Sequence, residues 1–225
     1  MTFLELANRL LSEADISGSG LITTVNQKGE YKQAVDYINT AYQDIQNLHS
    51  NWNFLRKDIA FNTIENVNNY FDTSIGLSDY GSWSLDTMRV YLTSSSVANE
   101  VHMTPVEWDD FRDMFLFGAS RSQVGMPIYI CEKPDNSLIL YPTPNDIYTV
   151  NGEYYREPFT LVLDIDKPAF PTRFHMVIVW RALMYFATQL NAQELYAIGN
   201  VEYRKLLLKL EQFDLPPHTV SGALV

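Results

Sequence analysis

Apolar residues in this chain keep a helical period at both ends and lose it in the middle. Behind Thr2-Phe-Leu-Glu5, which has the Ser/Thr-x-x-Glu form of a capping box, Leu4, Ala7, Leu10 or Leu11 and Ala14 recur at helical spacing and predict a helix over Phe3–Glu13. Ser17-Gly-Ser-Gly20 ends it in a loop. From Glu30 a second helix is clearer, with Tyr31, Ala34, Val35, Ile38, Tyr42, Ile45 and Leu48 on one face. It runs into His49–Leu55, where Trp52, Phe54 and Leu55 supply large anchors for a turn. From Arg56 to about Thr160 short apolar runs alternate with Asn, Asp, Gly, Ser and Pro, the texture of small strands and loops. Asp58–Thr63 alternates weakly and Met88–Thr93 reads as a strand. Thr104-Pro-Val-Glu107 repeats the capping-box form with Pro at the first helical position, predicting a short helix through Asp113. Ile128–Glu132 and Ser137–Tyr141 flank Lys133-Pro-Asp-Asn136 as a hairpin, and Tyr148–Tyr155 offers a third neighbouring strand.

After Pro168-Ala-Phe-Pro171 the helical pattern returns. Phe174–Leu190 is apolar on nearly every side apart from Arg181, as in a helix buried between other layers. Gln193–Phe213 carries one stripe at Tyr196, Tyr203, Leu207 and Leu210 and another at Leu195, Ile198, Leu206 and Phe213, an amphipathic helix with one wet side. Asn191-Ala-Gln193 and Gly199-Asn200 mark where a bend or break should fall. The uninterrupted apolar segment is shorter than the ~20 residues a bilayer needs, and Arg181 would cost about 2.5 kcal/mol or more in lipid, so no membrane span is expected. The pattern predicts an α+β fold, with N- and C-terminal helices packed as a bundle around an inserted small antiparallel β domain. The boundaries are 1–55 and 168–213 for the helical body, 56–167 for the β-rich region and 214–225 for an extended arm. Leu215-Pro-Pro217 forbids further helix, since proline lacks an amide hydrogen and disfavours helix in the residue before it. The arm's Leu215, Pro216, Pro217, Val220, Leu224 and Val225 are candidate contacts for a neighbour's groove.

At 225 residues and 46% hydrophobic content the chain can bury a sizeable core. Its single cysteine, Cys131, allows no internal disulfide and suits a reducing cytosol. Met1-Thr-Phe-Leu-Glu has an acid where a secretory signal needs a basic region. The net charge of -11, with only 16 Lys and Arg, argues against a surface that clings to nucleic acid. Such acidity also suits a wall past which DNA slides without sticking. His49, His102, His175 and His218 are scattered, no phosphate loop or nucleophile elbow is present, and no catalytic, cofactor-binding or metal residues are assigned. Glu107, Asp109, Asp110 and Asp113 cluster near a helix start, and a solvated first turn favouring negative charge explains them better than a hydrolytic pair. Phe111–Gln123 passes from aromatics into a small polar loop. Phe111, Met114, Phe115, Phe117 and Arg121 are therefore candidates for docking on another subunit, although such clusters also serve as the lid of a local core.

Several segments carry a further signal. Thr2-Phe-Leu-Glu-Leu with Leu10-Leu-Ser-Glu-Ala, Ile16-Ser-Gly-Ser-Gly20, the helix from Tyr31 ending in His49–Leu55, Tyr154-Tyr-Arg-Glu-Pro158, Leu163–Pro171 and Phe174-His together resemble the head-to-tail adaptor proteins of tailed bacteriophages. The resemblance covers both ends and leaves Asn66–Ser84 and Phe111–Gln123 without a family pattern. It implies a virion structural protein made in the host cytoplasm and placed at the head–tail junction. There it would form a homo-oligomeric ring, commonly of twelve copies, beneath the portal protein, extending the DNA channel and carrying tail or nozzle proteins. A tail terminator or tail-tube protein would hold a larger share of strand. A cell-envelope hydrolase using Glu107 or Asp110 would rest on the acidic cluster alone. The like-charged chain without coiled-coil heptads predicts a monomer, or weak association, until a portal template is present.

Overall fold

Thr2 and Glu5 close the first helix reciprocally: the Glu5 amide donates to Thr2 Oγ1 (3.3 Å) and the Thr2 amide to Glu5 Oε2 (2.9 Å). This geometry is taken from a computed structural model that describes residues 1–16 and 18–216. Its helices are α1 Phe3–Glu13, α2 Gly29–Asn47, α3 Trp108–Phe115, α4 Met176–Gln189 and α5 Gln193–Asp214. The strands are β1 Arg56–Asn62, β2 Asn69–Tyr70, β3 Tyr80–Leu92, β4 Val101–His102, β5 Thr104–Pro105, β6 Val124–Gly125, β7 Tyr129–Glu132, β8 Leu138–Tyr141, β9 Thr143–Pro144 and β10 Tyr148–Arg156. The chain forms two compact units, Arg56–Glu157 and a helical unit built from the residues on either side of it.

In the helical unit α4 packs against α1, α2 and α5, which is why it is apolar all round. Val177, Ile178, Val179, Ala182, Leu183 and Phe186 are buried with Leu6, Leu10, Ile38, Tyr42 and Ile45 of the N-terminal helices. Each such aliphatic side chain contributes about 1.5–3 kcal/mol on removal from water. Arg181 interrupts this run without being left unpaired. Its Nε donates to Asp44 Oδ2 (3.0 Å), a terminal nitrogen donates to the Tyr185 hydroxyl (3.0 Å), and the guanidinium lies 4.8 Å and 5.6 Å from the centres of the Tyr185 and Tyr203 rings. The break between α4 and α5 falls at Asn191, whose φ of 54° ends the first helix. Gly199 makes no break. It is buried inside α5, where an added Cβ would lie 3.2 Å from both Met184 Cγ and the Trp180 carbonyl oxygen, so its role is to let α5 approach α4 closely.

The segment 158–167 belongs with the helices and not with the strands before it. Two amide side chains on one face of α2 clamp it: Asn39 exchanges hydrogen bonds with Leu161 (3.0 and 2.9 Å) and Gln46 with Phe159 (2.9 and 3.3 Å). Asp164 then accepts from the Thr24 amide (2.7 Å) and hydroxyl (2.5 Å), which holds its carboxyl below the usual range.

In the β unit one sheet has the order β1-β10-β3-β4 and a second β2-β8-β7-β5, with β6-β9 as a small parallel pair. Phe61 faces Val150 and Ile59 faces Gly152 across the β1–β10 ladder, so the weak alternation of β1 directs its apolar residues into a core with Met88, Val90, Ile130 and Leu140. The hairpin forms where expected: the Lys133 amide donates to Ser137 O (2.9 Å) and Asn136 takes the left-handed φ of 63° that a tight turn requires.

Two expectations are corrected. Tyr148–Arg156 pairs with β1 and β3 in the other sheet and does not extend the hairpin. Thr104-Pro105 is extended and lies parallel to β7, with the Thr104 amide donating to Ile128 O (2.8 Å) and the Val106 amide to Ile130 O (2.9 Å). Pro105 falls between these two donors, where its missing N–H removes no ladder bond. The helix therefore starts only at Trp108, with Glu107 at the cap and no side-chain capping bond.

Candidate docking surfaces

Among the described residues no cluster of three or more His, Cys, Asp or Glu can hold a metal. Cys131 is buried, and burial followed by the nearby Glu107 and Glu132 charges pushes its thiol up to about 11. His175 is buried with Nε2 2.9 Å from Phe170 O and Nδ1 3.1 Å from Met1 O, and burial holds its pKa below the ordinary value. A cleft of about 770 Å³ in the β unit is lined by Trp83, Trp108, Tyr155, Glu107, Glu132 and Lys133 among others. Asp110 lies on the exposed side of α3 and does not line that cleft, so the two carboxylates singled out in the sequence are not brought together in it. Glu132 accepts from the Tyr80 hydroxyl (2.8 Å), and the exposed Arg112 pairs with Asp109 and Asp113 (3.1 and 3.0 Å).

The aromatic segment divides in two. Phe111 and Phe115, one helical turn apart, are buried against Cys131, Ile139 and Tyr141, with the Phe115 and Tyr141 rings stacked at 4.1 Å. They are core residues of the free chain, which corrects the expectation that they present themselves to a partner. Met114 and Phe117 point outward, 54% and 62% exposed, beside the exposed Arg121 and Val124. Gly118 follows with a φ of 61°, turning the chain so that Phe117 stays outside the core.

At the C-terminal end Asp214 is buried. Its carboxylate accepts from the Phe54 amide (3.2 Å) and its carbonyl from Asn53 Nδ2 (2.5 Å), tying the end of α5 to the turn after α2. Leu215 and Pro216 are half-buried, whereas Pro217, Val220, Leu224 and Val225 lie outside the described residues.

Two surfaces escaped the sequence reading. Along α5, Val201 and Leu208 are 63% and 55% exposed, and Tyr196, Ile198 (53%) and Phe213, read as stripe residues, are exposed as well. Spacings of three and seven residues put Ile198, Val201 and Leu208 on one side, a signal obscured because α5 carries apolar residues on several sides. Elsewhere in the helical unit Val162, Leu163 and Ile165 stand 68%, 57% and 74% exposed around the buried anchor Leu161. Single exposed apolar residues mean little, but contiguous ones mark interaction sites.

Contiguous apolar residues left exposed on α5 and around Leu161 are the mark of a protein that docks on others. The family model for the SU10 adaptor protein matches residues 1–216, and the chain belongs to that family of bacteriophage head-to-tail adaptors. No curated protein matches it. No helix among the described residues is long and apolar enough to cross a membrane.

Proposed function

We propose that copies of this chain assemble as a ring, of twelve by the family resemblance, beneath the portal of the filled capsid, where they extend the DNA channel and carry the tail. The observation that carries this reading is the apolar side of α5 that the described residues leave exposed. A closed ring needs such lateral faces, repeated by symmetry. The net charge of -11 supports a channel wall that repels passing DNA and binds no particular sequence. The residues from Leu215 onward are assigned to the portal, because α5 ends at Asp214 and the prolines that follow forbid further helix.

The test is cryo-electron microscopy of the protein mixed with portal from the same virion, beside sedimentation of the protein alone. Rings on portal and a monomer or weak association without it are expected. A stable large ring without portal, or no ring with it, overturns the reading. Deleting the residues after Pro217 should leave the melting temperature unchanged and weaken docking; a truncated chain that docks as well as the full one removes the portal assignment.

A further inference from the structure

We propose that the outer face of α5 in one copy docks onto the α3 surface of the next, so that the ring closes by a heterologous contact between unlike patches. This rests on the ring reading and specifies its lateral interface.

The two patches match in both apolar and charged character. On α5 the apolar line Ile198, Val201 and Leu208 is flanked by the exposed Arg204, Lys205 and Lys209, a strip that is net positive although the exposed Glu194, one turn before Ile198, lies on the same side. Glu202 offsets part of it, lying 3.3 Å from Lys205. On α3 the exposed Met114 and the following Phe117 supply large apolar knobs, and the helix also carries the exposed Asp109, Asp110 and Asp113, with Arg112 and the exposed Arg121 offsetting part of that charge. The β unit as a whole holds 15 of the 27 acidic residues and only 7 of the 16 basic ones.

Like patches are excluded by the same chemistry. An α5–α5 contact would oppose Arg204 and Lys209 to each other, and an α3–α3 contact would oppose carboxylates, each costing what the mixed contact gains. Complementary unlike patches generate rings or open filaments, whereas self-complementary ones stop at a dimer. The face on α5 is about 33 Å long and one helix wide, from its 22 residues at about 1.5 Å each. At a helix width of about 10 Å this is about 330 Å², well under the roughly 800 Å² per side of a standard stable interface, so the contact is weak until a template aligns the copies.

The buried Cys131 gives a quiet background for engineered cysteines. Full-length chains bearing Leu208→Cys are mixed with chains bearing Phe117→Cys under mild oxidation, in solution and on portal. The mixed disulfide should form about tenfold faster than either self-pair. Arg204→Glu with Lys209→Glu on the first chain should abolish the preference, and Asp109→Lys with Asp110→Lys on the second should restore it. A second pair, Val201→Cys with Met114→Cys, guards against one poorly behaved variant. Self-pairing of Leu208→Cys at an equal or greater rate, or indifference to charge reversal, overturns the inference. Rings on portal in which neither mixed pair forms overturn it while leaving the ring reading intact; absence of rings with the unaltered chain overturns the ring reading instead.

Discussion

Replacing Phe111 by alanine separates the core half of the aromatic segment from its docking half. Phe111 is fully buried, edge-on to Phe115 at 5.1 Å and to Tyr141 at 6.4 Å, in a small cluster that α3 closes over the hairpin. Truncating a packed phenylalanine removes its transfer free energy and leaves a cavity, together costing about 3–5 kcal/mol. For a unit of roughly 100 residues each kcal/mol moves the midpoint by about 4–8 °C, so a drop on the order of 12–40 °C is expected in the transition that reports the β unit. Phe117→Ala, at a position 62% exposed, should change stability by less than about 0.5 kcal/mol. Calorimetry on the full-length variants, with urea unfolding at 25 °C as a second measure, reads both. A Phe111→Ala chain that melts like the parent would refute the burial argument, as would a Phe117→Ala chain that loses as much as Phe111→Ala. Assembly should respond in the opposite order, Phe117→Ala added to the Met114→Cys chain slowing its disulfide capture by Val201→Cys while leaving its melting point unchanged.

Arg181→Met and Asp44→Asn, alone and together, should show a coupling of about 1 kcal/mol in urea unfolding, below the usual range for charged hydrogen bonds because the two side chains are 29% and 33% exposed; additivity of the two changes would mean the pair contributes nothing. Asp214 is held above its ordinary value of 3.8 by burial, which the Phe54 and Asn53 contacts only partly oppose. A raised carboxylate favours the fold fully below 3.8 and loses that contribution as pH rises through its folded value, so Asp214→Asn should gain stability relative to the parent between about pH 4 and neutrality; a difference that is flat with pH counts against it.

What could be read in the sequence was local. The capping box at Thr2 and Glu5 is complete within four residues, and it formed. The same letters at Thr104–Glu107 misled, because the amides of Thr104 and Val106 are claimed by the carbonyls of Ile128 and Ile130, which no local window contains. Arg181 was legible as an obstacle to membrane insertion, while its partner Asp44, 137 residues away, was not. The candidate docking residues show the same limit more sharply. Phe111 and Phe115 sit four apart and share a helix face, which identifies a buried pair, but only once Trp108 and not Pro105 is known to begin the helix. On α5 the inward side was masked by apolar residues on the outward one, since periodicity reports which side is buried in the folded chain only when the other side is polar.

That masking has an energetic counterpart. Residues that face solvent in one copy and a neighbour in the ring must leave the free chain soluble and still hold in the assembly. At micromolar concentration a lateral contact weaker than about -8 kcal/mol leaves the chain monomeric, and at the millimolar effective concentration of subunits held on one template any contact stronger than about -4 kcal/mol closes. The proposed α5–α3 contact has to fall within that interval. Three exposed aliphatics on α5 and two knobs at α3, with opposite charges around them, form a contact of that modest kind. A fully apolar α5 face would lie beyond its tight limit and aggregate, and a fully charged one would fall short of its weak limit. In the proposed ring, the mixture of Val201 and Leu208 with Lys205 and Lys209, which makes the helix hard to read, would confine assembly to the template.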